Sequence, residues 1–108
     1  MIVEYVRYTI PQERSEAFEA AYARARESLD ASPECLGYEL SRCTEDASSY
    51  VLRIEWESVE AHLEGFRKGS RFRAFFAEIR PFVSDIAEMR HYALTAVVAR
   101  KEEKEISR

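Results

Sequence analysis

At 108 residues, with 46% apolar and 12% aromatic side chains, the chain has the composition of one folded domain rather than a disordered segment. Its net charge of −4 draws on mixed signs, so there is no basic face for nucleic acid, and no apolar run approaches the roughly 20 residues of a membrane span. The N-terminus, Met1-Ile2-Val3-Glu4, lacks the basic and apolar regions of a signal peptide, and a cytoplasmic protein is expected.

The first ten residues set Ile2, Val6, Tyr8 and Ile10 against Val3, Tyr5, Arg7 and Thr9. Both sets carry large apolar groups, which predicts a strand covered on both sides. Pro11 suits the first turn of a helix, where its missing N–H costs nothing. Phe18, Ala21, Tyr22, Ala25 and Leu29 then form one helical stripe, which stops at Ser32-Pro33 because a residue before proline is pushed out of the α region.

A second strand is predicted near Leu36 to Cys43, with Leu36, Tyr38 and Leu40 on one face. The polar turn Thr44 to Ser49 joins it to a third strand as a hairpin. Tyr50, Leu52, Ile54 and Trp56 share one face of that strand, and Val51, Arg53, Glu55 and Glu57 the other. Cys35 and Cys43 flank the second strand. Eight residues of strand span about 26 Å, against the roughly 7 Å limit for a disulfide, so both cysteines are expected reduced.

Ser58 is placed to cap a short helix with the stripe Val59, His62, Leu63 and Phe66. Lys68-Gly69 ends it. Ser70 is expected to cap the next helix, with Phe72, Phe75, Phe76 and Ile79 on its stripe and Pro81 at its close. A last strand is expected from about Val83 to Leu94, with Met89 and His91 on one face and Glu88, Arg90 and Tyr92 on the other. The domain is therefore read as residues 1–94. Residues 95–108 form a tail whose charged run, Arg100 to Glu105, is expected to fray.

The order β-α-β-β-α-β, with the second helical segment broken in two, predicts an α+β, ferredoxin-like antiparallel sheet with helices on one face. Arg7, Glu39, Arg53 and Glu55 share the opposite face with Val3, Tyr5 and Val51. That mixture is too apolar for water and too charged for a dry core. It suits a homodimer in which two sheets pack and charges pair across the interface.

Three stretches carry a resemblance to a known family: Pro33-Glu34-Cys35-Leu36-Gly37-Tyr38-Glu39-Leu40, Trp56-Glu57-Ser58-Val59-Glu60-Ala61-His62, and Phe72-Arg73-Ala74-Phe75-Phe76. Over about residues 1–93 the chain resembles the antibiotic biosynthesis monooxygenase (ABM) family of dimeric α/β barrels. The resemblance implies a homodimer whose sheets close against each other, with a pocket in each subunit between sheet and helices. Well-known members oxidise aromatic polyketides, quinols or haem with molecular oxygen and no dedicated flavin or metal. Haem-degrading members use an asparagine, a second tryptophan and a histidine where this chain has Val6, Gly65 and Phe76, so haem degradation is not expected. Quinol-oxidising relatives often carry a histidine where Gly65 precedes Phe66. A glycine at that place would leave room beside the pocket.

His62 lies on an apolar stripe facing Trp56. It is either a buried histidine satisfied by one hydrogen bond or a general base for a phenolic proton, a task suited to a pKa near 6.5. His91 carries the same two readings. Two histidines with no carboxylate or cysteine at ligand spacing do not predict a metal site, and no cofactor motif is present. The remaining glutamates are assigned to solvated helix faces or the interface. Trp56, Tyr38, Phe66, Phe72 and Phe76 are either core or the walls of a slot that stacks on a flat ring, with Trp56 and Tyr38 donating hydrogen bonds and Tyr8 and Tyr22 within reach.

The expected function is a cofactor-independent monooxygenase acting on an aromatic, quinol-like small molecule. The alternative is a non-catalytic binding or interaction module on the same scaffold; a cofactor-free isomerase or decarboxylase comes third. Fold alone does not separate them.

Overall fold

In a computed structural model, residues 1–101 are described. The strand alternation and helical stripes give β1 (Ile2–Thr9), α1 (Ser15–Ala31), β2 (Cys35–Arg42), β3 (Ser49–Trp56), a π-helical segment (Ala61–Phe66), α2 (Ser70–Ile79) and β4 (Ile86–Ala93). Short 3-10 turns precede α1 (Gln12–Arg14) and follow α2 (Arg80–Asp85). The four strands form one antiparallel sheet in the order β2-β3-β1-β4. This is the expected α+β, ferredoxin-like arrangement. Among the described residues no helix is long and apolar enough to cross a membrane.

The core lies between the sheet and α1. The whole α1 stripe is buried, and Phe18 at its N-terminal end meets Tyr8, Tyr22, Tyr50 and Phe82 edge-on at 4.8–5.2 Å. Edge-to-face geometry sets a ring's positive rim against its neighbour's negative face, worth about 1 kcal/mol per pair beyond the area buried. Tyr50, Leu52, Ile54 and Trp56 all face inward, as their period-2 spacing predicts.

Several local expectations are corrected. A register shift between Cys35 and Gly37 marks a β-bulge. It turns Leu36 outward, leaving it 48% exposed, while Cys35, Tyr38 and Leu40 pack on the core. Leu63 leaves its expected stripe and points to solvent. Ser70 does not cap α2: Gly69 holds the N-cap position, with no side-chain cap bond. The 3-10 turn after α2 takes up Pro81 and delays β4 to Ile86. Cys35 and Cys43 are free thiols, as expected.

On the outer sheet face, charges pair within the chain. Arg53 meets Glu55 at 2.6 Å and Glu39 at 3.5 Å; Glu88 meets Arg90 at 2.6 Å and Arg7 at 3.2 Å. From Leu94 to Lys101 the chain has no regular structure beyond a bend. The part of the charged run from residue 102 onward lies outside the described residues.

Candidate functional site

A cavity of about 160 Å3 opens between the sheet, the π-helical segment and α2. Trp56, Phe66, Phe72 and Phe76 line it, as does the Tyr8–Tyr22 pair, whose hydroxyls are hydrogen-bonded to each other. Burial holds both phenols neutral: Tyr8 is pushed up to about 12, and Tyr22 is raised further from its ordinary value. Tyr38 does not join this group. It lies over a separate groove beside α1, where its hydroxyl donates to Asp30 (2.5 Å) and accepts from Arg26 (2.9 Å).

The polar wall of the cavity was only half legible in the sequence. Glu4 sits on β1 in phase with Ile2, Val6 and Tyr8, points inward and is 4% exposed. Its carboxylate is thus neither on a solvated helix face nor at an interface, contrary to the assignment of the glutamates above. The indole N–H of Trp56 donates to Glu4 Oε1 at 3.0 Å. That donor, expected to face a substrate, is therefore engaged inside the protein. The one available signal was periodicity: a charged residue at i+2 within an inward apolar set.

His62 and His91 meet at the same place. Antiparallel pairing sets His91 directly across from Glu4. The π-helical segment brings His62 in from above. Ser58 caps the start, its hydroxyl accepting the Ala61 N–H at 2.9 Å, and the Arg67 N–H reaches back five residues to the His62 carbonyl at 2.9 Å. This wider turn seats the His62 ring flat on Trp56, centroids 4.5 Å apart and planes within 13°. His62 Nε2 stands 3.5 Å from Glu4 Oε1, and His62 Nδ1 lies 2.8 Å from His91 Nε2. Glu4 and His62 are buried and His91 is exposed, so a continuous array runs from cavity to surface.

Burial is the leading influence on both inner groups. It raises the Glu4 carboxyl above the usual range, opposed in part by the Trp56 hydrogen bond and the charges of His91 and Arg67. It lowers His62 from 6.5 to about 4, helped by His91 and Arg67. His62 is therefore neutral at pH 7, with one nitrogen carrying a proton and the other a lone pair. Gly65 does not line the cavity. A Cβ there would meet the Glu34 side chain at 2.9–3.1 Å, so the room expected beside the pocket is filled by Glu34.

A ferredoxin-like sheet roofed by two helices, enclosing an aromatic cavity with a buried carboxylate–imidazole wall, defines a small α+β domain built around an apolar cavity. Comparison with known proteins makes this specific. The family model for antibiotic biosynthesis monooxygenases matches residues 1–78, and the chain belongs to that family. Over 92 residues it is 28% identical to the uncharacterized protein YczJ of Bacillus subtilis, covering 85% of this chain and 97% of that one. A Bordetella bronchiseptica protein assigned provisionally to the same monooxygenases superposes with a TM-score of 0.72 at 27% identity, over 87% of this chain and 96% of the other. A cofactor-independent oxygenase of Streptomyces nogalater, SnoaB, shares the fold with a TM-score of 0.68 at 20% identity, over 94% of this chain and 97% of its own.

Proposed function

We propose that this chain is a cofactor-independent monooxygenase acting on a small, electron-rich aromatic substrate of the hydroquinone or naphthol type. The observation that carries this reading is the pairing of an apolar, aromatic-lined cavity with a buried Glu4–His62 wall linked to the surface through His91. A cavity of about 160 Å3 is of the size that holds benzene. One ring fits directly, two rings fit with modest side-chain adjustment, and a three-ring anthrone needs the cavity to widen. Phe66, Phe72 and Phe76 stack on the ring and exclude water.

The phenol loses its proton to the Glu4–His62 pair, and His91 passes it to solvent. The anion gives one electron to dioxygen, and the two radicals combine into a peroxide anion at a ring carbon that still bears hydrogen. That anion takes one proton back from solvent through His91 to become the hydroperoxide. Loss of water leaves a new carbonyl there. One oxygen atom enters the product, the other departs as water, and all the electrons come from the substrate. The working unit is proposed to be a homodimer formed through the outer sheet face, located in the cytoplasm.

Oxygen uptake by chelator-treated protein tests the proposal. Saturable uptake is expected with one- and two-ring hydroquinones and naphthols, and slower uptake with anthrones. Glu4→Gln and His62→Gln are expected to lower kcat at least 100-fold with smaller changes in KM. Binding of these compounds without oxygen uptake would sink the oxygenase reading in favour of a binding module.

A further inference from the structure

Glu4, His62 and His91 come from three different elements, yet each offers one ligand atom, and these atoms all lie within 4.8 Å of one another. Nothing in their sequence spacing announces this; the β1–β4 register and the π-helical turn create it. We infer that these three side chains form a binding site for one divalent transition-metal ion of the zinc, cobalt and nickel class. The donor set decides the class. Two imidazole nitrogens and one carboxylate oxygen suit these ions, whereas calcium and magnesium take oxygen ligands.

Donors held about 2.1 Å from a common ion stand roughly 3–3.5 Å apart. Glu4 Oε1 and His62 Nε2, 3.5 Å apart, already meet that, whereas the 2.8 Å contact to His91 is made by the other ring nitrogen, His62 Nδ1. His62 turns Nε2 to Glu4 and Nδ1 to His91, so the ion takes one of these nitrogens and the third ligand closes in by side-chain rotation. His91 is the member free to move, because it is exposed on an outer strand, and it also gives the ion a way in. Glu4 supplies the negative charge that offsets Arg67, which lines the same cavity. Three protein ligands leave a fourth tetrahedral position open, the arrangement of a reactive rather than a structural site. Bound metal and the proton-accepting role of the array compete for the same lone pairs, so the oxygenase proposed above works metal-free.

The only tryptophan in the chain stacks on His62 and donates to Glu4, which places a fluorescent reporter against the site. Untagged protein freed of metal with EDTA and titrated with Co2+ is expected to show saturable quenching of Trp56 at one equivalent, with visible absorption bands and full reversal by EDTA. His91→Ala, a surface change that spares the core, is expected to weaken Co2+ at least tenfold, and His62→Ala to abolish one-site quenching. Zn2+ is expected to displace Co2+, whereas Mg2+ has no effect. Absence of saturable quenching at millimolar Co2+, or quenching unchanged by His91→Ala, would overturn the site. The readout needs no turnover. Oxygen uptake in EDTA therefore judges the oxygenase separately, and each reading can fail while the other stands.

Discussion

Glu4 is the residue on which the interior of this domain turns. A carboxylate removed from water costs several kcal/mol unless partners replace its hydration. Here the Trp56 N–H is the hydrogen-bond donor, with the neutral His62 ring 3.5 Å away. A double-mutant cycle measures the arrangement. Trp56→Phe keeps most of the ring but leaves Glu4 without its N–H donor. Urea unfolding is expected to show a loss of about 2–3 kcal/mol in the parent and a clearly smaller one in a Glu4→Leu background. Additive effects of the two substitutions would mean that the indole stabilises only by packing. The sequence revealed His62 and Trp56 through their apolar stripe and chain position. It hid Glu4, because a single acid within an alternating strand reads by composition as solvent-facing.

At the scale of elements, the segment Ala61–Phe66 decides what the cavity contains. An ordinary α-helical turn from Ser58 places His62, Leu63 and Phe66 on one stripe. The five-residue step from His62 to Arg67 widens the turn, keeps His62 and Phe66 inside and sends Leu63 out. Gly65 faces Glu34 and not the cavity. Gly65→Ala therefore gains about 1 kcal/mol of helix propensity and displaces the end of a flexible carboxylate chain at comparable cost. The expected result is a stability change within about 0.5 kcal/mol and unaltered turnover. A large loss of activity would instead return Gly65 to the pocket wall. The bulge between Cys35 and Gly37 is a second element-scale event that alternation alone did not reveal.

At the scale of the whole molecule, the homodimer proposed above rests on the outer sheet face. Val3 is buried there, Tyr5 and Tyr92 meet edge-on at 5.3 Å, and Val51 lies between flanking ion pairs. Because Arg7, Arg53 and Arg90 already find acids within the chain, an opposing sheet meets a neutralised surface rather than unpaired charge. Sedimentation equilibrium at micromolar concentration is expected to give twice the 12.6 kDa of the single chain. Val51→Lys, placed directly across from Arg7, is expected to weaken the dimer at least tenfold. A parent protein that stays monomeric at tens of micromolar would end the homodimer reading.

By itself the sequence determined the element order, the ferredoxin-like class, the inward faces of α1 and β3 and the convergence of Trp56, Phe66, Phe72 and Phe76 between sheet and helices. These rest on periodicity and capping, which are local and repeat often enough to be read from one chain. Only the tertiary structure decided the chemistry of the cavity. Glu4, His62 and His91 are separated by 58 and 29 positions in the chain, and no local pattern relates them. Strand register sets Glu4 across from His91, and a turn wider than an α-helix lowers His62 onto Trp56. Register and turn width are settled by how the whole sheet and its helical roof pack. That is why a residue absent from the sequence reading of the site stands at its centre in the fold.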